Sequence, residues 1–81
     1  MKNLEIYINV FTNSLKVDAK ILKNLKYQDV PAWDSLGHMN LIRDLEEAFD
    51  IMIDMDDIID FSSYKIGIEI LKKHNIEITE K

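Results

Sequence analysis

The chain predicts an all-α fold: a small antiparallel four-helix bundle, three longer helices and one short one, with a long first loop. Apolar residues recur at helical spacing over residues 4–15 and again over 35–49. The chain is rich in Ile and Leu and holds only two glycines and one proline, so little interrupts those stretches. Residues that cap helices, Asp34 and Ser62, stand in front of two of them. At 81 residues there is room for a single domain, 1–81, and too little bulk to wall off a deep catalytic pocket.

Residues 4–15 place Leu4, Tyr7, Ile8, Phe11 and Leu15 on one stripe, which predicts the first helix. Lys16 to Trp33 lacks sustained periodicity. That is long for a structureless connection, so a helical turn is expected near Asp18–Asn24. Pro31 forbids a helix there and pushes Val30 toward extended backbone. Asp34 reads as the N-cap of a helix from Ser35 to about Phe49. Asp50–Asp54 is a connector, Asp56–Asp60 a short helical turn, and Ser62 the cap of a last helix that runs to about His74 and stops at Asn75.

Charge narrows the function. The net charge is −5, and from Asp34 to Asp60 nine acidic residues face Arg43 alone. Such a field repels phosphate backbones, which argues against nucleic acid, and steers basic partners; it also serves solubility. Lys16, Lys20, Lys23 and Lys26 read as a solvated face. The absence of cysteine removes disulfides, thiolate metal sites and a thiol nucleophile, so thiol chemistry would have to arrive on an added group. With no basic-then-apolar leader and no long apolar run, the expectation is a cytoplasmic protein with no membrane span.

On the helix from Ser35, Leu41, Ile42, Leu45 and Phe49 share one side, with Met39 at its edge. Asn40, Arg43, Asp44 and Glu47 lie opposite, and Leu36 falls on that solvent side, a candidate partner contact beside a reactive hydroxyl. Ser35 occupies the first turn, where free N–H groups and the helix dipole favour a phosphate, although Asp34 opposes one; it could equally be part of the cap.

Trp33-Asp34-Ser35-Leu36-Gly37-His38-Met39 opens an amphipathic helix that ends Leu45-Glu46-Glu47-Ala48-Phe49-Asp50. Ile53, an acidic short-helix segment and Phe61-Ser62-Ser63-Tyr64 follow. In motif, length and charge this resembles the acyl carrier proteins from about residue 4 to 74. The resemblance implies that Ser35 is esterified by 4′-phosphopantetheine, taken from coenzyme A by a phosphopantetheinyl transferase that uses a divalent cation. Acyl groups would travel as thioesters on that arm between acyl-transferring and acyl-modifying enzymes, in fatty-acid synthesis or a specialised acyl pathway of lipid metabolism. Asp34, Leu36, Asn40, Asp44 and Glu47 would face those partners. Met39, Ile42, Phe49, Ile53 and Phe61 would line an interior that can open around a fatty chain. The expected product is a monomeric phosphoprotein that is not itself an enzyme. The chain departs from the commonest pattern at Gly37 and Asn40, often acidic in fatty-acid carriers, at Arg43, and at Pro31-Ala32-Trp33, which replaces a Gly-rich approach. An aminoacyl or peptidyl carrier, or an unmodified helical interaction domain of the same fold, remain alternatives.

Other chemistries have weaker signals. His38 lies three residues after Ser35 but points toward the core stripe, and no Gly-x-Ser-x-Gly turn surrounds the serine, so no catalytic residue is assigned. Asp54, Asp56, Asp57 and Asp60 lack the glycine and terminal Glu of a calcium loop, and no metal ligand is assigned. Met39 is expected in the core, with Met52 and Met55 at the connector's edge. Gly67 marks close helix packing, and Trp33 either anchors its loop or shields the arm.

Overall fold

The computed structural model describes residues 2–79 and is all-α: α1 (Asn3–Leu15), a 3-10 helix (Ala19–Asn24), α2 (Ser35–Phe49), α3 (Met55–Asp60) and α4 (Tyr64–Lys73). Each terminus has a local cause. At the start of α1, Glu5 reaches back to accept the Lys2 backbone N–H at 3.2 Å. Asp18 caps the 3-10 helix through the Lys20 N–H. α2 ends where Asp50 turns left-handed (φ 55°) and Ile51 N–H closes on the Glu46 carbonyl at 3.1 Å. α4 ends in the same way, with Asn75 at φ 68° and Ile76 N–H on the Leu71 carbonyl.

Tyr7, Phe11 and Leu15 form the buried stripe of α1, which packs along α2 with its Leu41, Ile42 and Leu45. One end of the core is aromatic: Phe11 touches the rings of Tyr7, Trp33, Phe61 and Tyr64 at 4.9–6.2 Å. Tyr7 donates its hydroxyl proton to the Tyr64 carbonyl at 2.6 Å in the interior. Gly67 lets α4 come close, because a Cβ there would stand 2.2 Å from the Tyr7 hydroxyl and 2.3 Å from the Phe61 ring.

The first loop is held to α4 rather than loose. Leu22 and Leu25 are buried, Tyr27 N–H donates to the Ser62 carbonyl at 2.9 Å, and Tyr64 N–H to the Leu25 carbonyl at 3.0 Å. These bonds explain one difference from the sequence reading. Ser62 spends its backbone on the loop, and the cap of α4 is Ser63, whose hydroxyl accepts the Ile66 N–H at 3.0 Å. Met39 is a second difference: it is half exposed rather than core, because His38, nearly in line with Leu45 on the helix, takes the inward place. Trp33 is wholly buried and anchors its loop.

α3 is tied to α4 by Asp57, the one charged side chain buried among the described residues. Lys73 Nζ lies 2.7 Å from one carboxylate oxygen and His74 Nε2 3.3 Å from the other. The Lys73 hydrogen bond holds the Asp57 carboxyl below the ordinary carboxylate value against the opposing effect of burial, with His74 adding to it, and Asp57 in turn raises Lys73.

Candidate functional site

The mouth of α2 is built by Asp34. Its backbone is extended, its side chain accepts the Gly37 N–H at 2.8 Å, and its carbonyl accepts the His38 N–H at 2.7 Å. Two donors are thereby satisfied, whereas the N–H groups of Ser35 and Leu36 have no acceptor among the described residues. Ser35 is exposed beside them, and no described residue hydrogen-bonds its hydroxyl. A phosphate ester on that oxygen fits this environment: open amides and the dipole's positive end are adjacent, and the Asp34 charge is partly spent on capping.

Gly37 has a steric reason. A Cβ at this position would stand 1.8 Å from the Ala32 carbonyl oxygen, so the Pro31-Ala32-Trp33 approach can lie against the first turn only if residue 37 has no side chain. That approach delivers Trp33 inward. Its indole N–H, which can only donate, points at His38 Nδ1 at 2.9 Å. Nδ1 is therefore the acceptor, and Nε2 carries the proton and donates to the Ile58 carbonyl of α3 at 2.8 Å. Both ring nitrogens are thus engaged away from Ser35, which removes the geometry a serine–histidine pair requires.

The residues expected to face partners separate into two groups. Asp34, Leu36 and Glu47 are exposed, Leu36 by 73%. Asn40 is half-buried and accepts from Arg43 at 3.4 Å, while Asp44 is partly buried and accepts the Ser14 hydroxyl proton from α1. Asp44 is therefore a tie between helices, because α1 lies along that edge of α2. Of the expected interior, Ile42, Ile53 and Phe61 are buried and Phe49 is half-buried, while Met39 stands outside.

The structure adds what sequence reasoning missed. Met39, Met52, Met55 and Ile59 join Leu36 as exposed large apolar residues of α2, α3 and the connector between them. A groove of about 240 Å³ lies between the first loop and α3, lined by Tyr27, His38, Ile58, Ile59, Phe61 and Ser62. The consecutive Ile58-Ile59 in an acidic six-residue helix was the available signal, since so short a helix cannot bury both. Among the described residues no group of three or more acidic or histidine side chains is placed to hold a metal, and no helix is long and apolar enough to cross a membrane. No family model, no curated protein and no solved structure matches this chain.

Proposed function

We propose that this chain is a cytoplasmic acyl carrier, a small antiparallel helical bundle whose Ser35 bears a 4′-phosphopantetheine arm. The observation that carries the reading is the exposed Ser35 hydroxyl at the mouth of α2, beside two open backbone amides, within the Asp34-Ser35-Leu36 motif. When attached, the arm supplies the thiol that the polypeptide lacks and on which acyl groups ride as thioesters.

The chain's own residues do the rest. Asp34 fixes the first turn of α2 so that the serine is presented at a rigid helix tip. Gly37, which has no side chain, lets the approaching loop lie against that turn. Leu36, Met39, Met55 and Ile59, exposed on α2 and α3, offer apolar contact, and exposed Glu47 with the other acidic residues of that half of the chain supplies a negative field. Such a surface favours fast, reversible encounters with basic enzyme faces, as a carrier visiting several enzymes needs. Tethering raises the effective concentration of cargo at each of them.

The same exposed apolar residues would serve an unmodified interaction domain, and one experiment separates the two. Incubation with coenzyme A, a divalent cation and a pantetheinyl transferase, followed by mass spectrometry, should add one phosphopantetheine to the wild type and none to Ser35→Ala. An unmodified wild type would favour the interaction domain. Cargo recovered from cells would then distinguish an acyl from an aminoacyl or peptidyl carrier.

A further inference from the structure

We infer that the rings gathered on His38 close the passage from Ser35 into the aliphatic core, so that this carrier keeps short acyl groups in the outer groove and does not draw long ones inside. The inference rests on the carrier reading above and names the class of its cargo.

The closure stands where an arm begins. His38 is three residues beyond Ser35, about 4.5 Å along the helix axis, and it faces inward. Trp33 lies nearly coplanar with it, 21° between the ring planes and centroids 6.2 Å apart, joined edge to edge by the indole hydrogen bond, while Tyr27 and Phe61 meet it at steep angles with centroids at 5.4 and 6.0 Å. The aliphatic half of the core, Leu41, Ile42, Leu45 and Leu71, is at most 2% exposed and lies further along α2 and on α4.

The acyl group hangs from the far end of the arm, and a chain passing inward from the groove that Tyr27, His38 and Phe61 line has to move this ring cluster. Aliphatic side chains can change rotamer without losing a polar partner, but His38 cannot. Its displacement breaks the Trp33 Nε1–Nδ1 bond of 2.9 Å and the Nε2–Ile58 O bond of 2.8 Å. It also strands the indole N–H of a tryptophan that is 0% exposed, and a buried donor without an acceptor is expensive. Trp33 cannot swing aside to make room, because Phe11 packs against it at 5.6 Å from the far helix. On the solvent side of the same histidine, the groove of about 240 Å³ presents Tyr27, Ile58, Ile59 and Phe61. A short acyl group can lie there with every one of these bonds intact.

The test loads wild type and His38→Ala from butyryl-, octanoyl- and palmitoyl-coenzyme A, with mass spectrometry to confirm the loading. Two readouts follow: the rate of thioester cleavage by hydroxylamine, and the amide chemical shifts of Leu45 and Leu71. In wild type the palmitoyl thioester should be cleaved as fast as the butyryl one, with Leu45 and Leu71 unmoved. In His38→Ala palmitoyl cleavage should slow on the order of tenfold, the ratio that 1.4 kcal/mol of burial gives, and both amides should shift. A wild type that protects palmitoyl and shifts Leu45 and Leu71 as the chain lengthens overturns the proposal, whether or not the variant folds. So does a folded His38→Ala that leaves palmitoyl as exposed as before. Failure of Ser35 to accept any arm would instead bring down the carrier reading beneath it.

Discussion

Replacing Gly67 by Ala asks how tightly α4 is seated on α1. An added methyl group would stand 2.2 Å from the Tyr7 hydroxyl, 2.3 Å from Phe61 Cζ and 2.7 Å from Phe61 Cε1, all inside van der Waals contact. Neither neighbour can withdraw freely. The Tyr7 hydroxyl is bonded to the Tyr64 carbonyl at 2.6 Å, and Phe61 is 1% exposed and stacked with Phe11. Overpacking of this kind costs about 1–3 kcal/mol, and disturbing the buried hydrogen bond adds about 1 kcal/mol. Against this, Ala is better than Gly in a helix by about 0.8–1.0 kcal/mol, a gain available here because the Gly67 backbone is not left-handed. The net expectation is a loss of about 2 kcal/mol, or a fall in Tm of roughly 10 °C for a domain of this size. Urea unfolding followed by Trp33 fluorescence and by far-ultraviolet circular dichroism should show the midpoint drop with an unchanged slope. Adding Tyr7→Phe, which removes the nearest clashing atom, should make the combined loss smaller than the sum of the two single losses. Should Gly67→Ala prove as stable as wild type or more so, helix propensity has won, and the close approach of α4 to Tyr7 and Phe61 is refuted.

Two further outcomes follow from the caps and the charges. Ser63→Ala should cost about 1 kcal/mol through loss of the bond from Ile66 N–H, whereas Ser62→Ala should stay within about 0.5 kcal/mol because that residue holds the loop through its backbone; equal losses in urea titration would contradict the assigned cap. The Lys73 hydrogen bond sets the Asp57 carboxyl below its ordinary value of 3.8. The stability it contributes is therefore complete above pH 3.8 and is lost as pH falls through the lower folded value. Asp57→Asn should flatten that acid limb in urea midpoints measured across pH, and an unchanged limb would show that the carboxylate is not held by α4. Lys73, raised above 10.5, mirrors this: its share is complete below that pH and disappears as pH rises through the raised value.

Much of the chain's architecture follows from local chemistry. The stripe of Tyr7, Phe11 and Leu15 depends only on a spacing of four residues, and Asp34 before Ser35 needs only an extended residue whose carboxylate can reach the Gly37 amide. For that reason the ends of α1, the 3-10 turn and α2 were legible almost to the residue, and so was the exposure of Ser35 and Leu36 at the helix mouth. Asn75 at the end of α4 was readable in the same way, as a residue that tolerates left-handed backbone.

What local chemistry cannot decide is which neighbour covers a residue whose own turn permits two answers. Ser62 and Ser63 are equally good caps in isolation, and the choice between them is made by Tyr27, which comes from the first loop to take the Ser62 carbonyl. Asp44 looks like a solvent-facing charge until α1 brings Ser14 to it, and Met39 looks like core until His38 occupies the inward place. His38 itself receives its tautomer from Trp33 and its second partner from Ile58, twenty residues away along the chain. The ends of α1 and α2 and the buried stripes of Tyr7, Phe11 and Leu15 and of Leu41, Ile42 and Leu45 are set by bonds and spacings of three or four residues, so the sequence by itself determined them. The groove, the ring closure on His38 and the Asp57 tie are set by contacts between distant segments, and only the tertiary structure decided those.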